Sequence, residues 1–185
     1  MDNDSRAKMV QSAATLISSR GVSATSFSDV LADSGSPRGS IYHHFPNGKA
    51  QLAADAICWT SQRVLAHQMA LTGGTPEEVL LRFIAMWRRV VVTSHAIQGC
   101  VVAGVAVDTR ADGDTLIGVV RETFRSWIGL LAEQLQAAGV TKARALPIAT
   151  ATVAGMEGAL ILCRAEGDSR RLDTVEEELL RLLRP

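Results

Sequence analysis

Apolar residues return at intervals of three and four along almost the whole chain, and glycine or proline breaks cut that rhythm into short lengths. A period near 3.6 puts such residues on one face of a helix. Met9, Ala13, Leu16 and Ile17 make the first stripe, and Gly21 after Arg20 is its stop, because glycine accepts the left-handed conformation found there. Ser26 stands before Phe27 with Asp29 three residues on, so the hydroxyl can cap a free N–H while the carboxylate favours the positive helix end. Phe27, Val30 and Leu31 are the inward face of this short second helix, which stops near Ser34-Gly35. Ser36 and Pro37 read as cap and first position of a third helix, with Ile41 and Phe45 facing the core. Lys49 to Leu71 is a long fourth helix, and Thr75-Pro76-Glu77-Glu78 starts the next, with Leu80, Phe83, Ile84 and Trp87 on one side.

The pattern continues to the end. Residues 98–108 are apolar and contain glycine, and read equally as a short buried helix or a loop. Leu116, Val120, Phe124, Trp127, Ile128, Leu131 and Leu135 form a long stripe ending at Gly139. Lys142 to Glu166 is rich in alanine and glycine, with Pro147 near its start or kinking it. Leu172, Val175, Leu179 and Leu182 mark a last helix. No stretch alternates as a strand, so the expectation is an all-α fold of about nine helices.

Composition removes several alternatives. With 185 residues, 47% of them apolar, the chain suits one or two compact domains rather than disorder. Lys+Arg and Asp+Glu are equal at 19 each, which argues against a general coat of positive charge and leaves local patches open. The longest apolar run, Cys100 to Val107, is far short of the roughly 18–20 residues of a membrane helix, so no membrane partner is expected. The N-terminus lacks the basic start and apolar stretch of a signal peptide. Cys58, Cys100 and Cys163 look like buried thiols, which suits a cytoplasmic location. His67 and His95 have no partner at ligand spacing, so neither metal nor cofactor is expected. No G-x-S-x-G or G-x-G-x-x-G is present, and Val105-Ala106 stand where a phosphate loop needs lysine and a hydroxyl.

The second and third helices with their glycine turn make a helix-turn-helix reading over Phe27 to His44. In that arrangement one helix braces another, which can enter a major groove about 12 Å wide. Gly39 lets the backbone come close, Arg38 and Ser40 can reach base edges, and Tyr42 and His43 can donate to phosphates. Lys49 sits at a helix start, where N–H groups and positive charge favour a phosphate together. The plainer reading is a helical hairpin with a polar surface, and residues 1–50 carry only five basic against four acidic side chains.

The segments Thr25-Ser26-Phe27-Ser28-Asp29-Val30-Leu31-Ala32 and Gly35-Ser36-Pro37-Arg38-Gly39-Ser40-Ile41-Tyr42-His43-His44-Phe45-Pro46-Asn47-Gly48-Lys49 resemble the DNA-binding part of TetR-family regulators. The likeness covers about residues 6–58. The Ser-Pro-Arg-Gly-Ser variant and Gly99-Cys100-Val101-Val102-Ala103 are similar to the LmrA/YxaF-like subgroup. Ser36-Pro37 departs from the family, which often has an apolar residue and then Ser or Thr there.

The resemblance implies a helix-turn-helix domain at 1–50, and an effector-binding and dimerisation domain at 51–185. It implies that Arg38, Gly39 and Ser40 face bases, that Ser26, Tyr42, His43 and Lys49 hold phosphates, and that Ser36 lies in the same surface. It places an effector pocket among Trp59, Phe83, Trp87, Phe124, Trp127 and Met156. It assigns dimerisation to the last two helices, through Ala151, Gly155, Gly158, Ala159, Leu162, Leu172, Val175, Leu179 and Leu182. The small residues there suit either a second chain or a close contact within one chain. The expected partners are a double-stranded DNA operator, a second copy of the chain and a small hydrophobic effector. The rival expectations are a DNA-binding regulator without an effector and an enzyme using the helical cavity.

Overall fold

The structure, a computed structural model, describes residues 2–70, 72–109 and 115–184, and all regular structure among them is helical. The elements are α1 (Asp2–Arg20), α2 (Phe27–Ser34), α3 (Ser40–His44), α4 (Gly48–Ala70), α5 (Pro76–Thr93), α6 (Val101–Asp108), α7 (Thr115–Ala137), α8 (Lys142–Glu166) and α9 (Arg170–Arg181). Leu71, the expected end of the fourth helix, lies outside the described residues.

Two compact units divide the chain. The first holds 1–62 and 100–123, and the second holds 63–99 and 124–185. Residues 1–50 all fall within the first unit. The helices α4 and α7 each run from one unit into the other.

In the first unit, α1 lays Met9, Ala13 and Ile17 against α2, α3 and α6. Gly21 ends α1 at a φ of 82°, a left-handed conformation that suits glycine. A Cβ on Gly21 would stand 2.5 Å from the Asp108 carboxylate, so the position requires glycine for space as well. Segment 98–108 resolves into α6. The Cys100 side chain does not cap its start, and burial of Val101, Val102 and Val105 holds it.

The second unit is built on α5, α8 and α9, which pack on one another. Thr75 and Glu78 form a complete capping box at the start of α5, with Pro76 in the first turn. At the other end His95 and Ala96 take positive φ values of 51° and 59°, left-handed positions with no glycine to relieve them. Gly155 of α8 faces Val175 and Leu179 of α9, and a Cβ there would sit 3.4 Å from Val175 Cγ1. Arg88 of α5 forks onto Asp173 and Glu176 of α9.

α8 is long and apolar enough to cross a membrane by length and composition, with a mean hydropathy of 1.6 over its best 18 residues. Its inner face, including Ala145, Ile148, Val153, Met156 and Leu160, is buried within the chain. Its outer face is apolar too, with Leu146, Ile161 and Leu162 exposed.

Candidate nucleic-acid interface

The interface is assembled from local rules. Ser26 caps α2, its Oγ accepting from Asp29 N at 3.1 Å while Asp29 Oδ2 accepts from Ser26 N at 2.8 Å. These bonds, with Arg20 beside the carboxylate at 3.0 Å, hold the Asp29 carboxyl below its ordinary range. Gly35 closes α2 in the left-handed conformation at a φ of 65°. The chain then turns through Pro37, whose carbonyl accepts from Ser40 N at 3.1 Å and Ser40 Oγ at 2.7 Å.

That turn corrects the expected start of the third helix. α3 begins at Ser40, not at Pro37, and Ser36 is not its cap. The proline rule fails because Pro37 here supplies a carbonyl to a preceding turn. Ser36 is half-buried, its Oγ accepting from Ser5 Oγ of α1 at 3.3 Å.

α3 is fixed from below. Ile41 and Phe45 are buried at 0% and 1% exposure, and the Arg6 guanidinium stands 5.5 Å over the Phe45 ring. Arg6 also pairs with Asp55 of α4 at 2.6 Å. Phe27, expected in the core, is only half-buried, and its ring stands edge-to-face with the exposed Tyr42 ring at 5.6 Å.

Above this base Arg38, Gly39, Tyr42 and His43 are exposed and Ser40 is half-exposed. Arg38 makes no hydrogen bond or ion pair among the described residues. Gly39 has a φ of −75°, open to any residue, and a Cβ on it would meet nothing within 4 Å. Neither conformation nor packing within the chain requires glycine there. A concavity lined by Ser28, Leu31, Ala32, Ser36, Arg38 and Tyr42 runs beside this face.

Lys49, in the first turn of α4, donates from Nζ to the Ser23 carbonyl at 3.2 Å. The N–H of the same Ser23 donates to Asp108 Oδ2 of α6 at 3.1 Å. Ser23, in the loop between α1 and α2, is thus held from both sides. The sequence reading missed Asp108 and Arg6, since their partners lie 85 and 49 residues away and no local spacing signals them.

The expected pocket and dimer residues fall elsewhere. Phe83, Trp87, Trp127 and Met156 are buried in the second unit and Phe124 is half-buried there, whereas Trp59 belongs to the first. Trp127 brings Trp87 and Phe124 together, each ring centroid 5.7 Å from its own. Phe83 lines a small cleft with His67, Gln68, Val79, Arg82 and Gln134. Of the dimer set, Ala159, Leu172 and Leu179 are buried within the chain, Gly155, Gly158 and Val175 are half-buried, and Ala151, Leu162 and Leu182 are exposed. Among the described residues no cluster of His, Cys, Asp or Glu suits a metal ion. Burial pushes the Cys163 thiol up, away from the reactive thiolate form.

The pattern of the family described as bacterial regulatory proteins, tetR family, matches residues 10–56. That of the transcriptional regulator LmrA/YxaF-like, C-terminal domain, matches residues 76–178. The chain belongs to the TetR family of transcriptional regulators, with a C-terminal domain of the LmrA/YxaF-like kind. It is 36% identical to the HTH-type transcriptional regulator Rv0196 of Mycobacterium tuberculosis, over 96% of this chain and 93% of that one. It is 30% identical to the HTH-type transcriptional regulator YxaF of Bacillus subtilis, over 98% and 96% of the two chains. Its fold matches the crystal structure of a TetR-family transcriptional regulator from Agrobacterium tumefaciens with a TM-score of 0.85, at 25% identity over 98% of each chain.

Proposed function

We propose that this regulator is a repressor that binds a palindromic DNA operator as a homodimer and is released by a small apolar effector. The observation that carries the DNA reading is the exposed face of residues 38–43 on a fully buried Ile41 and Phe45. A guanidinium with no partner among the described residues suits an anion or a guanine edge supplied from outside. A glycine with open space at Cβ suits the approach of a second molecule's backbone. Arg38, Gly39 and Ser40 face bases in this reading, and Ser26, Ser36, Tyr42, His43 and Lys49 position phosphates. Ser26, Ser40 and Lys49 already hold chain groups, so their phosphate bonds either share or exchange those partners.

The dimer reading rests on α8. A helix apolar all round is normally covered all round. One face of α8 is covered by α5 and α9, and the outer face, with Ala151, Ala154, Gly158, Ile161 and Leu162, is left for a second chain. Ala159, Leu172 and Leu179 support that face from beneath. Two recognition helices related by a dyad then meet successive major grooves about 34 Å apart. An effector acts by binding better to an arrangement that misfits this spacing.

A regulator without effector is the second reading. The cleft beside Phe83 holds only about 10 Å³ of free space, far below the ~300–1,000 Å³ of drug-sized sites. The unpaired polar groups buried near it weigh the other way. No catalytic role is proposed.

The test is a gel shift on DNA flanking the protein's own gene, with the oligomeric state followed by sedimentation. A salt-sensitive, sequence-specific shift by a dimer supports the proposal. A dimer that shifts this DNA no better than unrelated DNA overturns it. Ile161→Asp with Leu162→Asp should give folded monomers that no longer shift the operator.

A further inference from the structure

Asp108 is an acid in a place where an acid is costly. It is the last residue of α6, where the negative end of a helix disfavours a carboxylate. It is exposed, so core packing does not account for it. It also stands near Lys49, the proposed phosphate contact. Its Oδ2 accepts from Ser23 N at 3.1 Å, and the Ser23 carbonyl accepts from Lys49 Nζ at 3.2 Å. Two hydrogen bonds and one residue of backbone thus separate carboxylate from ammonium, a span on the order of 10 Å, which is also about the Debye length at 0.1 M salt. A carboxylate at that range repels DNA unless its bond to the loop contributes more than the repulsion costs.

The backbone makes room for that bond. Gly104 of α6 lies against α1, where a Cβ would sit 3.4 Å from the Ile17 carbonyl oxygen. Four residues on in each segment, Asp108 meets Gly21, and a Cβ there would come 2.5 Å from Oδ2. The loop after α1 is tied at its ends by its own groups. Gly21 N donates to the Ile17 carbonyl at 2.9 Å, and Thr25 Oγ1 donates to the Gly21 carbonyl at 2.7 Å. Ser23 between them is exposed and is held by side chains from two other helices, Asp108 of α6 and Lys49 of α4. All of these residues belong to the first unit.

We propose that Asp108 is a positioning residue of the DNA interface: by holding Ser23 it holds the carbonyl that steers the Lys49 ammonium onto a backbone phosphate. An ammonium has three donors, so Lys49 keeps two for the phosphate while one stays on Ser23. This rests on the reading of Lys49 as a phosphate contact and adds to it a residue from outside the helix-turn-helix. The two roles open to the carboxylate have opposite signs. Removing an acid that only repels DNA tightens binding. Removing one that positions Lys49 weakens binding, in spite of the lost repulsion.

The experiment follows binding of the full chain to duplex DNA flanking the protein's own gene, and to an unrelated duplex, by anisotropy at several salt concentrations. Asp108→Ala should keep its melting transition, bind both duplexes at least roughly threefold more weakly, and lower the salt slope toward the loss of one phosphate contact, about 0.9. In the Lys49→Ala chain the same substitution should weaken binding no further. Asp108→Asn keeps an oxygen for Ser23 N–H and drops the charge, so it should bind at least as tightly as the unaltered chain. The inference is overturned if Asp108→Ala binds as tightly as the unaltered chain or tighter, if its effect persists in full beside Lys49→Ala, or if Asp108→Asn is as weak as Asp108→Ala. If Lys49→Ala itself leaves the slope unchanged, the phosphate reading of Lys49 fails and the inference falls with it. A slope lowered by Lys49→Ala but not by Asp108→Ala leaves that reading standing and removes only the inference.

Discussion

The turn before α3 and the interior beside α5 both carry polar groups with no partner among the described residues, the first open to solvent and the second sealed from it. Arg38 stands in water, where solvent satisfies it, so leaving it unpaired costs the fold nothing. Gln68, Trp87 and Trp127 are sealed from water, and a buried unsatisfied group costs about 1–3 kcal/mol. The same chemical state is thus neutral for stability in one region and costly in the other. A surface can keep binding groups ready without loss, whereas an interior does so at the expense of the free state. The two regions should therefore respond differently to substitution: stability unchanged at Arg38 and raised at Gln68.

The largest effect tests what fixes the α3 face. Phe45→Ala removes a ring that is 1% exposed and should destabilise the first unit by about 3–5 kcal/mol, seen as an early transition in thermal unfolding. Tyr42→Ala, on the exposed side of the same helix, should leave the melt nearly unchanged while weakening DNA binding. Equal destabilisation by both would mean the outer face is part of the packing.

Next, Arg38→Ala should leave stability within about 0.5 kcal/mol and weaken operator binding by about 1–3 kcal/mol, with relaxed base preference at one position. Lys49→Ala should weaken all sequences evenly and lower the salt slope by about one. Anisotropy titrations at several salt concentrations separate the two.

The interior substitution, unlike the surface one, should change stability. Gln68→Leu should raise unfolding stability by about 1–3 kcal/mol in the absence of ligand, measured by urea denaturation. A loss of stability would mean that the amide is satisfied and that the contrast between the regions is false.

The smallest effect is the pH response of the α2 cap. The Asp29 carboxyl is held low by Ser26 and Arg20, so its contribution is full above the ordinary carboxylate pKa of about 3.9 and is lost as pH falls through the lower folded value. Asp29→Asn should flatten that acid limb in melts of the first unit.

Local signals in the sequence carried most of the fold. The capping boxes at Ser26 and Thr75 and the glycine stop at Gly21 are written within four residues of their partners, and the structure forms them as read. Pro37 misled because proline suits the first turn of a helix and a preceding turn equally, and only the Ser40 bonds to its carbonyl distinguish them. Segment 98–108 was undecidable for another reason: α6 has no cap of its own and exists through burial against α1.

The small residues of α8 serve two faces, and spacing alone does not divide them. Gly155 meets α9, while Ala151 and Leu162 stay exposed. The site was legible where side chains act from one short segment, as at 38–43. It was not legible where distant groups meet, as with Asp108 on Ser23. Gln68 had a faint signal: a polar residue eleven and four places along from Ile57 and Val64, on the buried stripe of α4.

In the proposed function paired α3 faces enter duplex DNA, and footprinting of the DNA upstream of the protein's own gene tests this most directly. Two protected stretches of related, inverted sequence, centred about one helical turn apart and lost together in Arg38→Ala, are the predicted result. Protection that is absent, or that survives Arg38→Ala with its pattern unchanged, would contradict it.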